Sequence, residues 1–351
     1  MTRRALAAAA AVAGALLVAG AGAAARRPAA RLLPPDAVEV WTPAAIASPR
    51  FESHPAFDPR TGDLYFVRSE KDFSGWRLLR ARCGATGWTA PEPPPFVAPG
   101  LEADPFFTTD GRTLYFISTR ATGAMASRAL DLWRVDRDAA GQWGTPARLP
   151  EPVNSDQAEW FPHPARDGWL YFGSSRPGGL GKTDIWRARQ SKDGGWIVEN
   201  AGPSINSAAD EYEPLPTPDG ERLLIAASDG YFEARRRGDG WAPRIRLGSA
   251  INANGSEIGA LVSPSGRSIL FARDLGEPRS GELLLWRRGG REAWPRVCVA
   301  TARRTRGRGQ PFERAPAVRP RWARGRRRTR AAPSPVWRNV PCPAVRCARV
   351  C

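Results

Sequence analysis

Pro162-His-Pro-Ala-Arg-Asp-Gly-Trp-Leu-Tyr-Phe-Gly-Ser-Ser-Arg-Pro-Gly-Gly-Leu-Gly-Lys-Thr-Asp-Ile-Trp186 carries a full set of strand and turn signals in one run. It holds an extended run, a turn at Asp167-Gly168, the apolar run Leu170-Tyr-Phe172, a glycine-rich connection and a second apolar run, Asp184-Ile-Trp186. Glycine accepts the positive φ of a tight hairpin, so Asp-Gly between apolar runs reads as strand, turn, strand. Consecutive aliphatic and aromatic residues suit a strand covered on both faces.

The same phrase returns on either side. Glu102-Ala-Asp-Pro105, Asp110-Gly-Arg-Thr-Leu-Tyr-Phe116, Asp131-Leu-Trp133 and Trp143-Gly-Thr-Pro146 form the copy upstream. Five acids head the copies, Glu52, Glu102, Glu159, Glu211 and Glu257. A turn glycine follows each, Gly62, Gly111, Gly168, Gly220 and Gly266, at separations of 10, 9, 9, 9 and 9 residues. The glycine-to-glycine steps are 49, 57, 52 and 46, so length varies in the connections. Each copy carries four short strand candidates, the fourth starting near Trp88, Trp143, Trp196, Trp241 or Trp294. Four strands at such a period make one blade of an all-β propeller. The strands are not separated by helical runs, which argues against a parallel βαβ sheet.

On these residues the chain resembles the WD40-like PD40 repeat family of TolB-like β-propellers, over about residues 38–296. The resemblance implies a six-bladed ring. Val38-Glu-Val-Trp-Thr-Pro43 matches the fourth-strand phrase and stands alone ahead of the first copy. A propeller uses such a strand to complete its last blade, which removes exposed sheet edges. Five four-stranded blades are therefore expected to be complete and the sixth incomplete, because the text changes after Trp294.

From Pro295 onward there are 16 arginines and one glutamate, so this segment carries +15 of the chain's +17. Residues 297–351 read as an Arg/Pro-rich disordered tail. An arm for nucleic acid or an anionic surface is one explanation. A shifted reading frame in GC-rich coding sequence explains better why the register stops where a sixth blade is due, and no nucleic-acid partner is expected. Met1-Thr-Arg-Arg4, an Ala/Leu/Val run to about Val18 and small residues at 21–25 form a signal peptide over 1–25, followed by a linker over 26–37. The destination is the periplasm or the medium, without a membrane span after cleavage. Four of the five cysteines fall in the tail. No disulfide framework is expected, and Cys83 reads as a small buried side chain.

Candidate sites are few. Equivalent positions in a propeller ring the central axis, so Glu52, Glu102, Glu159, Glu211 and Glu257, with Asp104 and Asp210, are the candidate binding residues at an acidic channel mouth. The competing role is a repeated bond inside each blade, and recurrence in every copy favours it. Arg120 with Asp131, and Arg176 with Asp184, read as bridges across one connection. His54 and His163 lack metal-site spacing and read as structural. The loop Arg176–Lys182 lacks the full spacing and following helix of a phosphate loop. There is no Gly-x-Ser-x-Gly elbow, and the recurring Trp residues read as blade packing. No catalytic residue, metal or cofactor is expected. The expected function is an exported, non-enzymatic, monomeric propeller that binds a protein or peptide partner in the cell envelope. The rival is an extracytoplasmic carbohydrate-active lyase or hydrolase.

Overall fold

The computed structural model describes residues 37–121, 129–276, 280–288, 292–296 and 298. The expected signal peptide, most of the linker and the tail beyond Cys298 lie outside the described residues.

Alternating and continuous apolar runs become five blades of antiparallel strands. A lone strand β1 (Val38–Val40) comes first. Blade one holds β2 (Phe51–Phe57), β3 (Leu64–Ser69) and β4 (Arg77–Ala81), with a small hairpin of β5 (Cys83–Gly84) and β6 (Gly87–Trp88) beyond it. Blade two holds β7 (Glu102–Phe107), β8 (Thr113–Ser118), β9 (Asp131–Asp136) and β10 (Ala147–Arg148). Blade three holds β11 (Glu159–Pro164), β12 (Leu170–Ser174), β13 (Asp184–Gln190) and β14 (Trp196–Asn200). Blade four holds β15 (Glu211–Pro216), β16 (Arg222–Ala227), β17 (Gly230–Arg237), β18 (Gly240–Trp241) and β19 (Ile245–Arg246). Blade five holds β20 (Ile258–Val262), β21 (Ser268–Asp274) and β22 (Gly281–Arg287).

In each blade the strand that begins at the repeated acid, or one residue to either side of it, is innermost, and successive strands follow outward. The inner strands β2, β7, β11, β15 and β20 neighbour one another in that order, and β20 returns to β2. The fold is a β-propeller. β1 pairs antiparallel with β22, Glu39 opposite Leu285. The N-terminal strand thus closes the ring as expected, but it does so as the outer strand of the fifth blade. Among the described residues five inner strands make up the ring, and β2 and β22 join blades one and five into one seven-stranded sheet; the sixth blade that the resemblance implies is not among the described residues. At the seam Phe51 pairs with Gly281 across blades one and five. A Cβ at Gly281 would lie 2.3 Å from the Phe51 ring, so only glycine lets that ring insert.

Apolar layers between neighbouring sheets hold the ring together. Tyr171 and Ile185 of blade three pack with Leu223, Ile225 and Phe232 of blade four. Burying one such side chain stabilises by roughly 1.5–3 kcal/mol. Charged bonds also cross blades: buried Arg137 of blade two grips both oxygens of Asp58 in blade one, at 2.6 and 2.7 Å.

Cys83 corrects the expectation of a free buried thiol. It is disulfide-bonded to Cys298, with Cα atoms 5.5 Å apart and a sequence separation of 215. The bond ties the hairpin outside blade one to the segment after blade five, across the ring seam. No helix among the described residues is long and apolar enough to cross a membrane.

Candidate functional site

The five repeated glutamates do not form an open acidic ring. Glu52, Glu102, Glu159, Glu211 and Glu257 are all buried. Each meets an arginine of its own blade: Arg68 at 2.7 Å, Arg120, Arg176 at 3.0 Å, Arg244 at 2.7 Å and Arg273 at 2.7 Å. The guanidinium also covers an aromatic face, Phe66, Phe116, Phe172, Phe232 or Phe271. In four blades it donates to a carbonyl on the incoming connection, that of Ile46, Phe96, Val153 or Ala250. The acid, the arginine and a phenylalanine ring are therefore one repeated joint. Burial raises the carboxyls of Glu52, Glu102, Glu159 and Glu211, and the arginine and serine bonds pull against it.

The expected Arg120–Asp131 and Arg176–Asp184 bridges are replaced by this joint. Asp131 instead accepts from Arg148, and Asp184 accepts from the backbone of Leu180 and Gly181 and from Asn200. Asp210 is half-buried at the entry to blade four, where its backbone pairs with Ser228. A repeated asparagine went unread. Asn154, Asn206 and Asn252, each five residues before the acid, bond the third strand's backbone at Leu132, Ile185 and Tyr231. Its signal was the phrase Val153-Asn-Ser155 recurring as Ile205-Asn-Ser207.

The axis belongs to residues two places further on. Every inner strand has a register irregularity just after the acid, between Ser53 and Ala56, Ala103 and Phe106, Trp160 and His163, Glu211 and Glu213, and Ile258 and Leu261. A β-bulge bends its strand and re-aims a side chain. The residues there are His54, Asp104, Phe161, Glu213 and Gly259, and four of them have φ between 50° and 62°. They converge: His54 Nε2 lies 3.3 Å from Asp104 Oδ1, and Phe161 N donates to Asp104 Oδ2 at 3.1 Å. Glu213 accepts from Tyr231 Oη at 2.8 Å, Gly259 N at 3.0 Å and Ala260 N at 2.6 Å. His163 joins from two residues beyond Phe161, its Nδ1 3.0 Å from the Phe161 carbonyl and its ring against Phe106. A Cβ on Gly259 would come within 2.6 Å of His54 N, so glycine is needed for blades five and one to meet there.

These bonds stitch blade to blade and leave little space. A cavity of about 10 Å³ lies among His54, Asp104, His163 and Glu213, room for about one water. Dehydration dominates the electrostatics. It pushes Asp104 up to about 7 and Glu213 up to about 8, the latter helped by nearby Asp104. It pulls His54 and His163 down to about 3. At neutral pH the histidines are uncharged and Glu213 is largely protonated. No group of three His, Cys, Asp or Glu among the described residues is arranged to hold a metal ion.

Beside the axial cavity lies a recess of about 20 Å³, lined by Phe73, Trp76, Trp160, Phe161 and Ile258 with His54 and Asp104. Phe73 and Trp76 come from the β3–β4 connection. The equivalent connections, β12–β13 and β21–β22, carry exposed Leu180 (53%) and Leu275 (44%). Second-to-third strand connections lie on one face of a propeller, so these apolar residues share the face of the recess.

The chain matches no known protein-family description. No curated protein matches it by sequence. Among solved structures it is similar to TolB from Acinetobacter baumannii, 14% identical, with 66% of this chain and 53% of that chain covered and a TM-score of 0.39. It thus spans about half of that protein's length. Alpha-L-arabinofuranosidase from Lactobacillus brevis is 12% identical, with 69% and 91% covered and a TM-score of 0.38. A periplasmic gluconolactonase from Pseudomonas aeruginosa is 14% identical, with 62% and 64% covered and a TM-score of 0.38. Likenesses this distant do not bear on chemistry.

Proposed function

We infer that this chain is an exported binding module without catalytic activity, which holds a protein or peptide partner on the recess face. The observation that carries the reading is the filled axis. Asp104 Oδ2 and the Glu213 carboxyl are held by backbone amides of the neighbouring blades, and the cavity beside them takes about one water. A sugar ring or a peptide segment does not fit there. The neighbouring face offers half-buried aromatics, the usual anchors of a protein interface, with exposed leucines beside them. The Cys83–Cys298 bond supports an oxidising compartment.

Selection from a displayed peptide library on the intact protein tests this. Enriched peptides should bind wild type and lose binding in Leu180→Asp and Leu275→Asp. Failure to enrich any peptide, or binding indifferent to both variants, would remove the reading. The enzyme alternative has one point in its favour, two buried carboxyls held partly protonated near the axis. Release of nitrophenol from a panel of aryl glycosides, abolished by Asp104→Asn, would replace binding with catalysis.

A further inference from the structure

We propose that the recess beside the axial cavity is a binding site for a primary ammonium group, the tip of a lysine side chain on the partner segment, with Asp104 as its counter-ion. The proposal rests on the recess face being the binding face and names the chemistry that it takes.

Three observations converge. The first is the wall. Phe73, Trp76 and Trp160 line the recess with Ile258, and aromatic faces attract cations while apolar ones cover an alkyl stem. Phe73 is held in place with φ of 62°, its ring 4.3 Å from that of Phe51. The second is the floor. The Asp104 side chain is 4% exposed and the His54 side chain 10%. Asp104 Oδ2 is taken by the Phe161 amide, while Oδ1 has only a long contact to His54 Nε2. That nitrogen is buried and has no well-formed hydrogen bond, although Nδ1 of the same ring is placed by Ser53 Oγ at 2.7 Å. With Nδ1–H donating to Ser53, Nε2 and Oδ1 are two acceptors aimed at one place, and an ammonium brings three donors.

The third is size. About 20 Å³ accommodates one or two waters and hence an ammonium head. A guanidinium or a trimethylammonium group is too bulky. Lysine adds a flexible four-carbon stem that reaches such a floor from outside. On the β3–β4 stretch Glu70 and Asp72 stand with Lys71 and Arg77, and Glu70 is paired with Arg50 at 3.1 Å. His163 and Glu213 lie deeper along the axis, beside the one-water cavity. The carboxylate facing the recess is therefore that of Asp104. A bound cation favours its ionised form.

Calorimetric titration of the whole protein with n-butylammonium, and separately with the peptide amide Gly-Gly-Lys-Gly-Gly, tests the site. Both should bind saturably. Affinity should fall at least tenfold in Asp104→Asn and several-fold in Trp76→Ala, whose position in a surface connection leaves the ring intact. Tetramethylammonium and n-butylguanidinium should fail to compete. Absence of saturable binding, undiminished binding in both variants, or equal binding of tetramethylammonium would overturn the proposal. Selected peptides that need Leu180 but bind as well with every lysine changed to leucine would also overturn it, while leaving the partner face standing. Asp104-dependent n-butylammonium binding by a protein that selects no peptide would keep the ammonium site and remove the peptide partner.

Discussion

Two rings of residues, separated by only two positions in each inner strand, behave in opposite ways. Glu52, Glu102, Glu159, Glu211 and Glu257 are identical, buried and bonded within their own blades. His54, Asp104, Phe161, Glu213 and Gly259 all differ, and they reach across the axis to other blades. Identical residues at equivalent positions solve a problem that every blade has. Unlike residues at equivalent positions meet once, at the centre, and make an asymmetric site. In this propeller the repeat builds each blade, and the departure from the repeat joins the blades at the axis.

Breaking the outer ring should have the largest effect. Arg176→Ala leaves the fully covered Glu159 without its cation and should cost about 3–5 kcal/mol in urea unfolding. A loss below about 1 kcal/mol would show that the joint is dispensable. The seam comes next. Cys83→Ser should lower stability by about 2–4 kcal/mol relative to the oxidised protein, and equally under reducing conditions no further loss should follow.

How much of this contrast is legible in the sequence follows from strand geometry. The strands, their turn glycines, the closing role of Val38–Val40 and the register of the acids all follow from local pattern, because period and turn chemistry are local. The axis does not. Simple alternation puts Glu52 and His54 on the same side of β2, and only the bulge between Ser53 and Ala56 parts them. The arginine partners depend on which side chain reaches across. In blade four, where Ser228 follows the second strand, Arg244 from farther along supplies the cation. The Cys83–Cys298 bond needs the ring to be closed before its cysteines are neighbours. The blade count depends on which strand β1 joins, and β22 is 241 or more residues away along the chain for its nearest bonded pair at Thr42 and Leu283.

The inner ring is sharpened by pH. Asp104 and Glu213 have raised values in the folded protein, so the stability they contribute is full below about 4 and is lost as pH rises through about 7 and 8. His54 and His163 have depressed values, so theirs is full above about 6.5 and is lost as pH falls towards 3. The two trends oppose each other between about 4 and 6.5. Above that window only the carboxyls act, and stability should fall by about 2 kcal/mol from pH 6.5 to 8. Glu213→Gln should flatten most of that slope in urea titrations at each pH. The smallest effect is expected at Gly259→Ala, about 1–2 kcal/mol, from a strained φ and a close approach to His54. An effect near zero would mean that blades one and five do not meet there.

Carbon-13 NMR titration of the side-chain carboxyls in the intact protein tests the filled, dehydrated axis most directly. Asp104 and Glu213, assigned through Asp104→Asn and Glu213→Gln, should titrate near 7 and near 8. Surface carboxyls such as Asp110 should titrate below the ordinary aspartate value, because the Arg112 amide and the Thr108 hydroxyl bond it. If Asp104 and Glu213 instead titrate between about 3.5 and 4.5, water fills the axis and the division between the two rings does not hold.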